Sequence, residues 1–389
     1  MRQPPVHSPL QWSTLRAGGA ALVPGRDPRP ALGALLAREF AAERVRLLAS
    51  GTQALQTALV EAARAAGGDV IVALPAFTCF DVATAAVGAG LRIALYDVDP
   101  RTLSPDLDSL TAALTAGARI VVVTPLYGVP VPWRAVMECA AAVGAAVIED
   151  AAQGFGASWR GRPLGSFGSV SVLSFGRGKG WTGGQGGALL ARGATNGSSP
   201  NGNGVGLWRE ASVLALAAAQ WAFARPAAYG IPAALPWLGL GETRYREPVA
   251  PRALPRASAG LLERGLSAAQ REAAERRQRA GRLLEVMMLC AGVRPIEPPA
   301  ESSPGYLRLP VRVPGGLAGL ADPEAAERLG AARSYPSSLG ALAPVQARLV
   351  GQARRWPGAD DLVRELITLP THSLLSAQDL DALARAVGA

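Results

Sequence analysis

Lysine is almost missing from this chain. Lys+Arg total 39, and a single one of these, Lys179, is lysine. Arginine can stand in for lysine in solubility, ion pairing and phosphate binding, but its guanidinium keeps its proton and cannot attack a carbonyl. A lysine amine can, once desolvated or set beside another cation. A chain that uses arginine everywhere else marks position 179 as one that needs an amine able to lose its proton. The competing reading is a surface lysine left by chance. Its surroundings weigh against chance: the apolar run Val170 to Phe175 leads in, and glycines on both sides let backbone approach a ligand closely.

Other scarcities exclude whole classes. Two histidines, His7 and His372, leave no His-rich metal site, so no metal is expected. Three cysteines, Cys79, Cys139 and Cys290, stand far apart without metal-ligand spacing and read as reduced thiols of a cytoplasmic protein. Aromatic residues make up 5% and do not alternate with the basic ones, which disfavours nucleic acid despite a net charge of +9. The densest basic run, Arg271 to Arg282, is interleaved with Glu272 and Glu275, as on a solvated helix face. A small anionic substrate accounts for the charge equally well. The most apolar run, Leu207 to Arg225, carries Arg209-Glu210 and stops at Arg225-Pro226. A spanning helix needs about 20 apolar residues without charge, so this one reads as buried or subunit-facing and membrane contact is not expected. The opening residues, MRQPPVHSPLQW, lack the apolar core of a signal peptide.

What is present is an alternation of short apolar strands and helices, in a chain of 389 residues that is long enough for two domains. After an irregular stretch over residues 1–30, a helix is expected over Pro30–Glu43. Strands follow at 45–49, 70–74, 91–96, 119–124 and 145–149. Helices follow at 80–89, 107–116 and 133–143. This pattern predicts a parallel sheet covered on both faces. Ligands in such sheets bind at the carboxyl ends of the strands. Gly51, Asp150 and Lys179 each follow a strand, so they are expected to converge. Gly51 and Thr52 open a helix, where free amides bind anions, although an ordinary N-cap reads the same. Asp150 can hold a metal, cap the next helix or pair with a cation; with no His nearby and one lysine in the chain, pairing is favoured.

Residues 196–206 read as a flexible Gly/Asn/Ser loop, and Pro248–Pro255 as a linker. Ser267-Ala-Ala-Gln reads as a capping box that opens a helix running to about Cys290. A strand at 306–313, a helix at 323–329 and a last helix capped by Ser376 and Asp379 complete a smaller α/β domain. The expected division is 1–255, with an apolar helical insert at about 207–240, and 256–389.

Six ordered segments resemble the DegT/StrS-type family of pyridoxal-phosphate sugar aminotransferases, which have the fold type I architecture. They are ASGTQAL, LPAFTCFDVATA, LYDVDPRTLSPD, VVVTPLYGVP, the run from VIEDAAQGFGA to GGQGGALL that contains Lys179, and LPTHSLLSAQDL. The resemblance implies that Lys179 is the Schiff-base lysine, that Asp150 partners the pyridinium nitrogen and that Gln153 contacts the phenolic oxygen. Gly51, Thr52 and Gln53 match the phosphate-cradling turn, with the Ser174 hydroxyl added. Cys79 occupies the position from which the family stacks an aromatic ring, with Phe80 as the alternative. Gly176 stands where the family often has His, and Gln185 where it has Glu. The Asn that a neighbouring subunit usually lends has no clear counterpart near Arg252–Gly260. The activity implied is amino transfer from an amino acid, glutamate first, to a nucleotide-linked keto sugar, by a homodimer, in polysaccharide or secondary-metabolite biosynthesis. Two alternatives are a sugar dehydratase and a catalytically silent cofactor-binding regulator. The dehydratase branch replaces the lysine with His, so Lys179 argues against it.

Overall fold

The computed structural model describes residues 2–193, 206–233, 243–288, 290, 292–351 and 355–388. The loop expected at 196–206, up to residue 205, and the end of the insert, 234–240, lie outside them.

The apolar runs form β1 (Arg44–Leu48), β2 (Ile71–Pro75), β3 (Arg92–Tyr96), β4 (Ala118–Val123) and β5 (Ala146–Asp150). Two short strands, β6 (Ser158–Trp159) and β7 (Arg162–Pro163), precede β8 (Val170–Ser174) and β9 (Gly187–Ala191). Seven of these make one sheet in the order β1-β9-β8-β5-β4-β2-β3. Pairs from β3 across to β8 are parallel, and β9 runs antiparallel to both β8 and β1. The expected α/β architecture with a mostly parallel sheet is therefore the one observed. Ile120 to Val123 of β4 are all fully buried, as strands covered on both faces must be.

The helices before and between these strands are α1 (Trp12–Ala20), α2 (Arg29–Glu39), α3 (Gly51–Ala66), α4 (Phe80–Gly88), α5 (Leu107–Thr115) and α6 (Trp133–Ala141). One core layer joins Leu55 and Leu59 of α3, Val82 of α4 and the small C-terminal sheet. The opposite layer joins Leu32 and Leu36 of α2, Leu110 of α5 and Val136 of α6. After β9 come α7 (Leu207–Phe223), α8 (Pro226–Ala233) and the long α9 (Arg256–Met287). The C-terminal part holds β10 (Arg294–Pro295), β11 (Ser302–Ser303), β12 (Leu309–Arg312), β13 (Ala332–Arg333) and β14 (Leu366–Leu369). Its helices are α10 (Pro323–Arg328), α11 (Ala343–Gln346), α12 (Pro357–Glu365) and α13 (Ala377–Val387), and its antiparallel sheet runs β10-β12-β14-β13. A third sheet, β11-β6-β7, pairs Ser302 with Trp159.

Two expectations need correction. The stretch 1–30 is not wholly irregular. Gln11 and Thr14 form a reciprocal cap that starts α1, and Leu15 packs with Leu261 of α9 and Val213 of α7. The long helix starts at Arg256, well before Ser267. Its first amides need acceptors, and they come from a distant carboxylate: Glu210 accepts from Arg256 N and Ala257 N, each at 2.9 Å. Ser267 therefore lies inside a helix already running. In the linker segment before it, Arg252 O accepts from Ala49 N at 2.9 Å. The boundary expected at 255–256 coincides with the start of α9. The early turns of that helix pack against the large-sheet layer through Ala259 and Leu262, and its late turns against the small sheet through Leu283 and Met287.

The insert helix α7 buries Glu210, Val213 and Ala217 but leaves Trp208 at 90% exposure and Leu207 at 73%. Among the described residues, no helix is long and apolar enough to cross a membrane.

Candidate active site

The carboxyl end of β1 turns directly into α3. Ser50 is the extended N-cap, and its Oγ accepts from Gln53 N at 3.1 Å. The first turn of a helix leaves amides without intrahelical partners and carries partial positive charge. Gly51 is required by the approach of β8: a Cβ there would sit 2.6 Å from Ser174 Cβ and 2.9 Å from its Oγ. The turn therefore brings the Thr52 and Ser174 hydroxyls beside the helix terminus.

β5 delivers Asp150 as its last residue, and Ala152 N donates to Asp150 Oδ1 at 3.1 Å. β8 delivers Ser174 and the loop that carries Lys179. Several contacts hold this loop. Ser8 Oγ donates to Lys179 O at 3.0 Å, and the buried Trp181 donates from Nε1 to Leu262 O at 3.1 Å. Next to the lysine, Gly180 packs so closely on Phe155 that an added Cβ would lie 3.1 Å from its side chain.

These strand ends meet around one narrow cavity. Gly51, Thr52, Cys79, Asp150, Gln153, Ser174 and Lys179 all line it. Asp150 is pushed above the usual carboxylate range by burial, and the Lys179 charge opposes that shift. Burial, with the Asp81 charge adding, pushes the Cys79 thiol up to about 12. Gln153 is locked from both ends: Tyr127 N donates to its Oε1 at 2.6 Å, and its Nε2 donates to Tyr335 OH at 2.9 Å.

Two expected residues lie elsewhere. The Gln53 side chain is absent from the lining; its Oε1 accepts from Arg252 N at 2.9 Å. Phe80 is 5% exposed within the core layer and does not reach the cavity. Sequence reasoning missed Thr78, Asp81, Thr124, Leu126 and Tyr335, which also line it. Tyr335 follows β13 of the small sheet. Its ring packs edge-on against Phe77 at 5.3 Å and stacks with Tyr127 at 6.3 Å. No motif marks it; the Ser-Tyr-Pro step after a short strand is the only local signal. A wider cleft lined by Asp97, Asp99 and Arg101 lies away from these groups, and there Asp97 caps α12 through Gly358 N and Ala359 N, both at 2.8 Å.

A model of the DegT/DnrJ/EryC1/StrS aminotransferase family matches residues 34–195. The L-glutamine:2-deoxy-scyllo-inosose aminotransferase of Streptomyces kanamyceticus is 37% identical over 141 residues, 36% of this chain and 33% of its own length. The UDP-N-acetyl-3-dehydro-alpha-D-glucosamine 3-aminotransferase of Acidithiobacillus ferrooxidans is 37% identical over 127 residues, 33% of this chain and 34% of its own. The chain thus spans about a third of the length of the curated relatives it matches. The fold extends further: the sugar aminotransferase CalS13 of Micromonospora echinospora superposes with a TM-score of 0.77 at 22% identity, covering 99% of this chain and 98% of that one. The matched segment holds β1 to β9 and, apart from Tyr335, every residue that lines the cavity. On that match, residues 34–195 are similar to the DegT/DnrJ/EryC1/StrS aminotransferase family, and the likeness of fold runs through the rest of the chain.

Proposed function

We propose that the protein is a pyridoxal-phosphate-dependent aminotransferase that moves an amino group from an amino acid, glutamate first, to a nucleotide-linked keto sugar. The observation that carries this reading is the meeting of the chain's sole lysine with Asp150 and the amino end of α3 around one cavity.

The donor set suits the cofactor part by part. Lys179 offers an amine to its aldehyde, and Asp150 a carboxylate to its ring nitrogen. The α3 terminus with Thr52 and Ser174 offers amides and hydroxyls to its phosphate. Thr78 lines the same cavity with a buried Oγ1 that has no partner among the described residues, a group that a ligand would satisfy. When bound, the cofactor supplies the electron sink for charge released at the donor carbon.

The chain's own residues would do the rest. Asp150 would hold a proton at the ring nitrogen, and that positive charge would in turn favour the ionised carboxylate. Lys179 Nζ would take the proton from the donor Cα and return it to the adjacent carbon, a positioned transfer worth about 10²–10⁴-fold. Gln153, fixed by Tyr127 and Tyr335, would orient the ring oxygen. Cys79 keeps its proton and serves as a wall, not a nucleophile.

The activities for which the relatives are named support amino transfer. A second acceptor class has specific support, because the relative from Streptomyces kanamyceticus is named for an inosose and for L-glutamine. A homodimer remains part of the proposal. The test is spectroscopic. Protein reconstituted with pyridoxal phosphate should absorb in the visible, and glutamate or glutamine should shift that band. A colourless wild type overturns the reading, and a band that no amino donor moves turns it toward the silent regulator.

A further inference from the structure

Among the described residues, four arginines enclose a guanidinium nitrogen that has no hydrogen-bond partner: Arg192, Arg276, Arg308 and Arg312. Three are compensated. Arg276 lies 3.8 Å from Glu272, and Arg312 is 2.7 Å from Glu365. Arg192 donates to Ser171 Oγ and Phe40 O, each at 2.9 Å. Arg308 is different. Its hydrogen bonds are two long ones, from Nη2 to Thr368 O at 3.3 Å and to Gly330 O at 3.5 Å, and no carboxylate of the described residues pairs with it. The groups around it are phenols: Tyr127, Tyr229 and Tyr335 lie within its field, while burial pushes its pKa down to about 10.

Arg308 is half-buried, but its Nε is shut off from water, and a folded chain seldom leaves such a donor without a partner, because the desolvation is not recovered. Two features say what is missing. The first is position. Leu307 N donates to Tyr127 O at 2.9 Å, and Tyr335 lines the cavity that holds Lys179, so Arg308 stands beside the tyrosine pair at the cavity's small-sheet wall. The second is company. Tyr229 of α8 lies in the combined field of Arg2, Arg177 and Arg308. Arg2 and Arg177 are exposed to water, whereas Arg308 is half-buried, and none of the three has an ion pair among the described residues.

We propose that Arg308 forms an oxyanion subsite beside the cavity that receives the anionic part of a substrate. The guanidinium fork matches a carboxylate or a phosphate. The two sources are the carboxylate of the amino donor and the diphosphate of a nucleotide-linked acceptor. Only these names rest on the aminotransferase reading, since oxyanion binding needs no turnover.

The test titrates the purified full chain, by calorimetry, with glutarate and separately with UDP, neither of which carries an amino group to transfer. Arg308→Gln is expected to weaken one of them about tenfold or more, while its unliganded Tm stays equal to the wild type or rises. Loss confined to glutarate assigns the donor carboxylate, and loss confined to UDP assigns the diphosphate. Arg308→Lys keeps the charge but not the fork, and should bind with intermediate affinity at wild-type Tm. The subsite is overturned if wild type binds neither probe, if Arg308→Gln titrates as wild type does, or if Arg308→Lys does. Failure of the aminotransferase reading is separate, because it appears as absent cofactor absorbance, whatever these titrations give.

Discussion

On one wall of the cavity, Gly51, Asp150 and Ser174 stand at the carboxyl ends of β1, β5 and β8, and Lys179 follows on the loop after β8. On the other, Tyr335 arrives from an antiparallel sheet far along the chain and is held by Gln153 and Tyr127. The first wall is set by topology: β8 lies next to β5, and a single strand, β9, separates it from β1, so one sheet brings these residues together. The second is set by packing between two sheets, which can shift without unravelling either. Chemistry that needs fixed groups therefore belongs to the first wall, and selection among substrates to the second.

If this division holds, the largest losses come from the first wall. Lys179→Ala is expected to abolish visible cofactor absorbance and to cut amino transfer by about 10³-fold or more, since no other lysine exists to replace it. Asp150→Asn should keep much of the bound cofactor and lower kcat by about 10²–10⁴-fold, with KM changing far less. Steady-state kinetics with a reactive donor and acceptor check both. A mild Asp150→Asn would break the comparison, because the residue would then be only a cap on Ala152.

Gly51→Ala is a geometric test of the same wall. The new Cβ would press on Ser174 Cβ, whose backbone β8 cannot easily retreat. We expect about 1–3 kcal/mol of lost stability by urea unfolding, together with weaker cofactor retention on gel filtration. Adding Ser174→Gly should recover stability but not retention, since the hydroxyl is then gone.

The same division explains what could be read before any coordinates. Lys179 stood out by its uniqueness, and Asp150 and Gly51 by their places after apolar runs, because strand–helix alternation prescribes where strand ends meet. Tyr335 and Arg308 flank short antiparallel strands whose pairing is long-range, and no local spacing encodes it. The start of α9 was misread because its cap is Glu210, which is remote in sequence. Gln53 fits the phosphate-turn pattern by type, yet its side chain is claimed by Arg252 N, a contact that only folding creates.

On the second wall, Tyr335→Phe removes one hydroxyl and leaves Gln153 Nε2 without its acceptor. Losing such a partner costs about 1–3 kcal/mol locally. The expected result is a few-fold rise in KM for donor or acceptor, with cofactor absorbance intact. Damage equal to that of Lys179→Ala would erase the distinction between the walls.

The smallest effect concerns pH, where the two regions should respond with opposite sign. Glu149, buried in β5 of the large sheet, accepts from Gly165 N, Phe167 N and Ser171 Oγ, yet burial still pushes its pKa from the ordinary 4.5 up to about 7. Between those values the folded state holds more protons than the unfolded one, so stability falls as pH rises through the window. His372, buried near His7, Glu272 and Arg276, is pushed down from 6.5 to about 4. There the folded state holds fewer protons, so stability falls as pH drops from 6.5 toward 4. Each contribution is on the order of 1–3 kcal/mol, and the two slopes oppose each other where the windows overlap. Urea midpoints measured across this range separate them. Glu149→Gln should leave a curve that rises to about pH 6.5 and then flattens, whereas His372→Asn should leave one that falls toward pH 7. If Glu149→Gln instead runs parallel to wild type, the carboxylate is ionised throughout, and its three donors outweigh burial.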